Sequence, residues 1–106
     1  MRVLLDENLP QKLRLYLPPH QAFTTAYQGW AGLSNGALVA AAEAQAFDVL
    51  MTADQGLNYQ QNLAGRNISL VVLSTNKSSL VLANVAKILE AIDGIAPGRF
   101  SFVDIG

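Results

Sequence analysis

The sequence predicts an α/β fold, a three-layer α/β/α sandwich with a mostly parallel sheet of about five strands. Short apolar runs such as Val3-Leu4-Leu5 and Val49-Leu50-Met51 alternate with stretches of helical period, the signature of βαβ units wound around one sheet. Both of these runs lead into a carboxylate, Asp6 directly and Asp54 after Thr52-Ala53. In an open parallel sheet ligands bind in the crevice outside the carboxyl ends of the strands, so acids there face a working surface rather than a core.

Each element has its own local warrant. Arg2 to Leu5 reads as the first strand. Leu9, Leu13 and Leu17 trace the stripe of a helix with Pro10 in its first turn, and the helix must stop before Pro18-Pro19. Gln21 to Thr25 is a second strand leading to an irregular loop from Tyr27 to Gly32. Ser34 is the expected N-cap of an alanine-rich helix from Gly36 to Ala46. Asp48 to Thr52 is a third strand, apolar enough to be covered on both faces. Leu57 to Leu63 reads as a short helix closed by Ala64-Gly65, and Ile68 to Leu73 as the fourth strand. Ser78 or Ser79 is expected to cap a long helix through Ile92, with Val81, Val85, Ile88, Leu89 and Ile92 buried and Asp93-Gly94 at its end. Arg99 to Val103 is the last strand.

The 106 residues fit one domain, residues 1–106. There is no cysteine and one histidine, His20, which leaves out disulfides, thiol nucleophiles and a multi-histidine zinc site within the chain. Any metal is therefore held by oxygens. The chain enters a strand with no charged leader, and no apolar run reaches the about 20 residues that span a bilayer. No membrane association and a cytoplasmic location are the expectation. Composition is 51% hydrophobic and 14% charged, against about 25% charged in ordinary soluble domains. Much surface must then be apolar, which argues for a two-fold homodimer through helix surface or for a protein partner. A net charge of −1 and seven scattered Lys and Arg make no basic stripe of the kind that binds phosphates.

If the second strand lies beyond the first, the first and third strands are neighbours, and Asp6 and Asp54 meet at the topological switch point. Two carboxylates that close repel each other, so their joint presence favours a bound cation or a raised pKa on one of them. Mg²⁺ or Mn²⁺ is the natural occupant, because hard cations take few protein carboxylates and leave positions for a phosphate oxygen and a nucleophilic hydroxide. Aspartate is also a favoured N-cap, so both residues read equally as caps of the helices that follow. Glu7 reads as a further ligand or as a first-turn acid complementing a helix dipole. Asn8 either orients Asp6 or is itself the cap. Thr52 places a hydroxyl in the crevice or is an ordinary β-branched strand residue.

Other candidates carry two readings each. Glu43 is a solvent-facing helix glutamate or a supporting ligand. Asp48 begins its strand, at the wrong end for the crevice. Trp30 and Tyr27 stack bases or close the core as a lid. His20 is a surface turn residue. Arg66 and Lys77 lie near strand ends, in reach of phosphate, or are ordinary exposed cations.

The run Val3-Leu4-Leu5-Asp6-Glu7-Asn8-Leu9-Pro10, the Gly32-Leu33-Ser34 turn opening an alanine-rich helix, and Val49-Leu50-Met51-Thr52-Ala53-Asp54 resemble the small PIN-like family of predicted nucleases grouped with VapC-type toxins. The likeness covers most of the chain and is most specific at the two acid-ended strands. It implies a PIN-like fold, an acid cluster binding Mg²⁺ or Mn²⁺, single-stranded RNA as substrate, and inhibition by a cognate antitoxin protein. The chain departs from that pattern twice. Where an acid is expected around the start of the alanine-rich helix it has Ser34-Asn35-Gly36, with Glu43 the next carboxylate. After the second motif, Gln55-Gly56-Leu57-Asn58-Tyr59 is uncharged. Asn35 and Asn58 offer carbonyl oxygens without charge, which lowers metal affinity. The readings are thus a toxin-type ribonuclease and a catalytically degenerate PIN-like binding or interaction module. A receiver-like phosphoacceptor at Asp54 has only Lys77 to serve as its lysine.

Overall fold

Short apolar runs build the sheet. The computed structural model describes residues 1–33, 35–55, 63 and 65–105, with the side chain of Asn35 outside that description. Strands β1 (Arg2–Leu5), β2 (Gln21–Thr24), β3 (Val49–Thr52), β4 (Ser69–Leu73) and β5 (Phe100–Val103) pair in the order β2-β1-β3-β4-β5, every pair parallel. β3 and β4 are buried along their whole length, as central parallel strands covered on both faces must be. The five-stranded parallel α/β sheet is as expected, and β1 and β3 are neighbours, with Leu5 opposite Met51.

Between the strands lie a 3₁₀ helix at Gln11–Tyr16 and helices α1 (Thr25–Gln28), α2 (Asn35–Ala44), α3 (Ser78–Ala83) and α4 (Val85–Asp93). Four differ from expectation. The segment through Leu13 is 3₁₀ rather than α, a short tight stretch between Pro10 and Pro18 that opens with the Leu13 N–H donating to the Pro10 carbonyl at 3.1 Å; Leu13 and Leu17 are buried all the same. β2 stops at Thr24, whose side chain accepts from the Tyr27 N–H at 3.1 Å and opens α1, and Gly29 at φ +76° closes that helix. Tyr27 and Gln28 are therefore helical, not loop. The long helix is two helices, broken at Asn84, whose φ of −117° leaves the helical range and whose side chain donates to the Leu80 carbonyl at 2.8 Å. Neither Ser78 nor Ser79 caps it: Lys77 holds the cap position, and its N–H donates to Thr75 Oγ1 at 3.1 Å. The Ser34 cap, and the helix expected over Leu57 to Leu63 apart from Leu63 itself, lie outside the described residues.

Side chains alternate across the sheet and so feed two cores. Val3, Leu5, Val49, Met51, Val71, Leu73 and Val103 face Leu13 and Leu17 together with Val81, Ile88 and Ile92 of α3 and α4. Leu4, Leu50, Leu70 and Val72 face Leu38, Val39 and Ala42 of α2, with Phe47 and Leu63. Each such aliphatic side chain contributes about 1.5–3 kcal/mol when removed from water.

The crossovers do not share one hand. β2 to β3 and β4 to β5 step toward the same edge of the sheet, yet α2 covers one face and α3 with α4 the other. Their hands are opposite. β1 to β2 steps the other way with its 3₁₀ helix on the α4 face, which gives it the hand of β2 to β3. About 98% of such connections are right-handed, so the unusual, left-handed one is β4 to β5. In consequence α4 covers Val103, while Phe100 and Phe102, on the opposite face of β5, are 38% and 51% exposed.

Candidate active site at the carboxyl ends of β1 and β3

Asp6 is the first residue past β1, and Thr52 closes β3 with Asp54 two residues beyond. The Asp6 N–H donates to the Met51 carbonyl at 2.9 Å, extending the β1–β3 ladder by one bond. At this junction Thr52 is fully buried, and all its hydrogen-bonding capacity is used. Its Oγ1 accepts from Asn8 Nδ2 at 3.2 Å and from the Asp54 N–H at 3.0 Å, and lies 2.8 Å from Asp6 Oδ2. Both other partners are donors, so the hydroxyl proton goes to the Asp6 carboxylate. Asn8 Oδ1 accepts from the Ala53 N–H at 3.2 Å, and Asp6 Oδ1 from the Glu7 N–H at 2.8 Å.

This network fixes the Asp6 carboxylate with one charge-assisted bond on each oxygen, while a carboxylate has about four acceptor positions. Capacity therefore remains for a cation. Asp6 is half-buried, and Glu7 and Asp54 are exposed. Asp6 is not a helix cap: its Oδ1 reaches only the N–H of the next residue, its Oδ2 is taken by Thr52, and the 3₁₀ helix has Pro10 at its cap position with no side-chain bond. Asn8 is not a cap either; it joins Thr52 to Ala53 and positions Asp6 through that hydroxyl. The 3₁₀ helix has no acid in its first turn, so Glu7 does not complement a helix dipole there. Among the described residues, no three His, Asp or Glu side chains come close enough together to hold a metal ion.

The remaining candidates lie elsewhere. Glu43 is partly exposed on α2 and lies away from the crevice. Its Oε1 pairs with Arg66 Nη1 at 2.8 Å and its Oε2 accepts from the Asn67 N–H at 2.9 Å, tying α2 to the turn before β4, at the amino end of the sheet. The Asn67 N–H, with help from the Arg66 guanidinium, holds this carboxyl below its ordinary value. Arg66 is thereby engaged in the same tie. Asp48 also sits at the amino end, its Oδ2 accepting from the Arg2 N–H at 2.8 Å. Trp30 is half-buried edge-on to Phe47, centroids 6.1 Å apart, as a lid would be. Tyr27 stays exposed, and Lys77 is exposed four residues past the end of β4. His20 sits in the turn before β2, its N–H donating to the Leu17 carbonyl at 2.9 Å, and its Nε2 lies 2.7 Å from Asp93 Oδ1, joining the start of β2 to the end of α4. Asn35 begins α2, and Asn58 is outside the described residues.

Sequence reasoning missed the Asn8–Thr52–Asp6 connection as a unit, since 44 residues separate Asn8 from Thr52. The available signal was a hydroxyl ending one strand beside an acid ending its neighbour. Comparison of the chain with protein-family models, with curated proteins and with solved structures finds no match in any of the three.

Proposed function

We propose that the protein is a metal-dependent ribonuclease of toxin-antitoxin type, acting on single-stranded RNA with Mg²⁺ or Mn²⁺ and restrained by a cognate antitoxin protein. One observation carries this reading: Thr52 aims Asp6 at the end of β1, beside the end of β3 and the exposed Asp54. The strand order supports it, because β1 lies between β2 and β3 and the connections leave in opposite directions there, the position where open α/β sheets bind ligands. The resemblance of the acid-ended strands to PIN-like nucleases points the same way.

The donors fit a hard cation in kind, being carboxylate oxygens. Asp6 and Asp54 are the holders and catalytic residues in this reading, with Glu7 exposed alongside. A bound Mg²⁺ or Mn²⁺ supplies an acidified water and positive charge against the scissile phosphate. Thr52 and Asn8 keep the Asp6 carboxylate in one orientation, so it need not reorganise when a substrate arrives. Isothermal titration of the protein with Mn²⁺ and Mg²⁺ tests the site directly. Binding at micromolar to low-millimolar concentration, lost in Asp54→Asn, supports the reading; silence up to about 10 mM contradicts it.

A second reading, a catalytically degenerate PIN-like binding or interaction module, is favoured by the lack of a third acid near the pair among the described residues. It requires no metal heat and no cleavage from a folded protein.

A further inference from the structure

We propose that a groove beside β2 binds one nucleotide of the single-stranded RNA substrate, with Arg14 on a phosphate and the Tyr27 ring against a base; this rests on the nuclease reading above. The groove has a volume of about 590 Å³ and is lined by Gln11 and Arg14 of the 3₁₀ helix together with Phe23, Thr24 and Tyr27 of β2 and α1. β2 is the edge strand next to β1. Thr24 pairs with Leu5, so the chain leaves β2 level with Asp6, one strand spacing of about 4.8 Å from β1. The 3₁₀ helix that carries Arg14 is the element that follows Asp6 in the chain. A strand of RNA with its scissile phosphate at Asp6 therefore passes this groove with a neighbouring nucleotide.

Charge selects an anion for the groove. Arg14 is exposed, is the one ionic side chain among the described lining residues, and forms no ion pair among the described residues. From Asn8 to Ala42 the chain has no Asp or Glu, while Lys12 and Arg14 fall within it. Asp93, which approaches β2 at its start and so at the other end of the strand, is taken by His20. A chain of net charge −1 thus carries a local cationic surface beside its candidate site, which draws anions to it.

The aromatic ring narrows that anion to a nucleotide. Tyr27 is 77% exposed, yet its place is held: Thr24 Oγ1 accepts from its N–H at 3.1 Å, Gly29 closes the helical turn, and the Phe23 ring lies beside it with centroids 6.0 Å apart. An exposed ring on a fixed backbone is a stacking platform for any base that is not already paired. A guanidinium for the phosphate and a ring for the base, with no acid among the described lining residues, fit the two ends of one nucleotide. A protein strand added to β2 would pair with its backbone and make no use of the arginine, which is the alternative that the variants below separate.

Fluorescence anisotropy of a short labelled single-stranded RNA, at low salt in a chelator so that no metal-dependent cleavage intervenes, tests this. The wild type should bind the single strand more tightly than a duplex of the same sequence, whose bases are already stacked. Tyr27→Ala should weaken single-strand binding about tenfold, and Tyr27→Phe should bind as the wild type does. Arg14→Gln should weaken it too and lower the slope of log affinity against log salt by about 0.7, the loss of one phosphate contact. Both side chains are exposed, so circular dichroism should stay unchanged. A wild type that does not bind the RNA, a duplex bound as tightly as the single strand, or wild-type affinity in either Tyr27→Ala or Arg14→Gln overturns the proposal. The two readings fail separately: metal-dependent cleavage by a wild type whose affinity these variants share removes the groove alone, whereas binding that the variants lose, in a protein that never cleaves RNA, supports the groove and removes the nuclease.

Discussion

Thr52 donates its hydroxyl to Asp6 Oδ2 at 2.8 Å, across the junction between two parallel strands whose sequences lie 46 residues apart. The bond makes one side chain both a structural clasp and a positioning device. Because Asn8 Nδ2 and the Asp54 N–H converge on the same oxygen, loss of that oxygen leaves two donors without an acceptor.

Thr52→Val, nearly isosteric, should therefore destabilise the protein by about 1 kcal/mol, the lower end of the cost of leaving polar groups unpaired, since these are only part-buried. Thr52→Ser keeps the oxygen and should lose less. Urea denaturation of the three proteins checks this, and Mn²⁺ affinity should fall in the valine variant and survive in the serine one. Equal stability of Thr52→Val and wild type would contradict the clasp.

The Glu43 tie gives stability a particular pH dependence. Its carboxyl is held below the ordinary 4.5, first by the Asn67 N–H and further by Arg66. A folded-state value below the unfolded one means that the contribution is present above the unfolded value and is lost as pH falls through the folded one. The wild type should thus lose stability on acidification below about pH 4.5 more steeply than Glu43→Gln. Thermal melts between neutral and acidic pH compare the two slopes, and parallel curves would remove Glu43 from the account.

Gly98 adopts φ +72°, and a Cβ there would stand 2.7 Å from the Arg66 carbonyl oxygen, part of the backbone. The Gly98 N–H also donates to the Asn67 carbonyl at 3.1 Å. Gly98→Ala should cost about 1–3 kcal/mol, since strain and clash coincide. A denaturation midpoint unchanged from wild type would contradict it.

What the sequence made legible follows from locality. The strands announce themselves as short apolar runs, and the neighbouring of β1 and β3 follows once β2 is placed on the outer side. The break at Asn84 was hidden because Val81, Val85, Ile88 and Ile92 keep a helical spacing across it. The 3₁₀ geometry before Leu17 was hidden because the apolar stripe fits either helix. Asp6 was legible as an acid at a strand end, but not the clasp that aims it. The ties made by Glu43 and His20 were not legible because their partners, Arg66 and Asp93, lie 23 and 73 residues away. The left-handed return to β5 leaves no local mark at all.

The most direct test of the central claim is cleavage of single-stranded RNA in Mn²⁺ by the purified chain and by Asp54→Ala. The account predicts cleavage that requires Mn²⁺ or Mg²⁺, is stopped by chelation, and disappears in Asp54→Ala while the melting temperature stays close to that of the wild type. Cleavage of equal rate by the wild type and by both Asp54→Ala and Asp6→Ala, or no metal-dependent cleavage by the folded wild type, would contradict it.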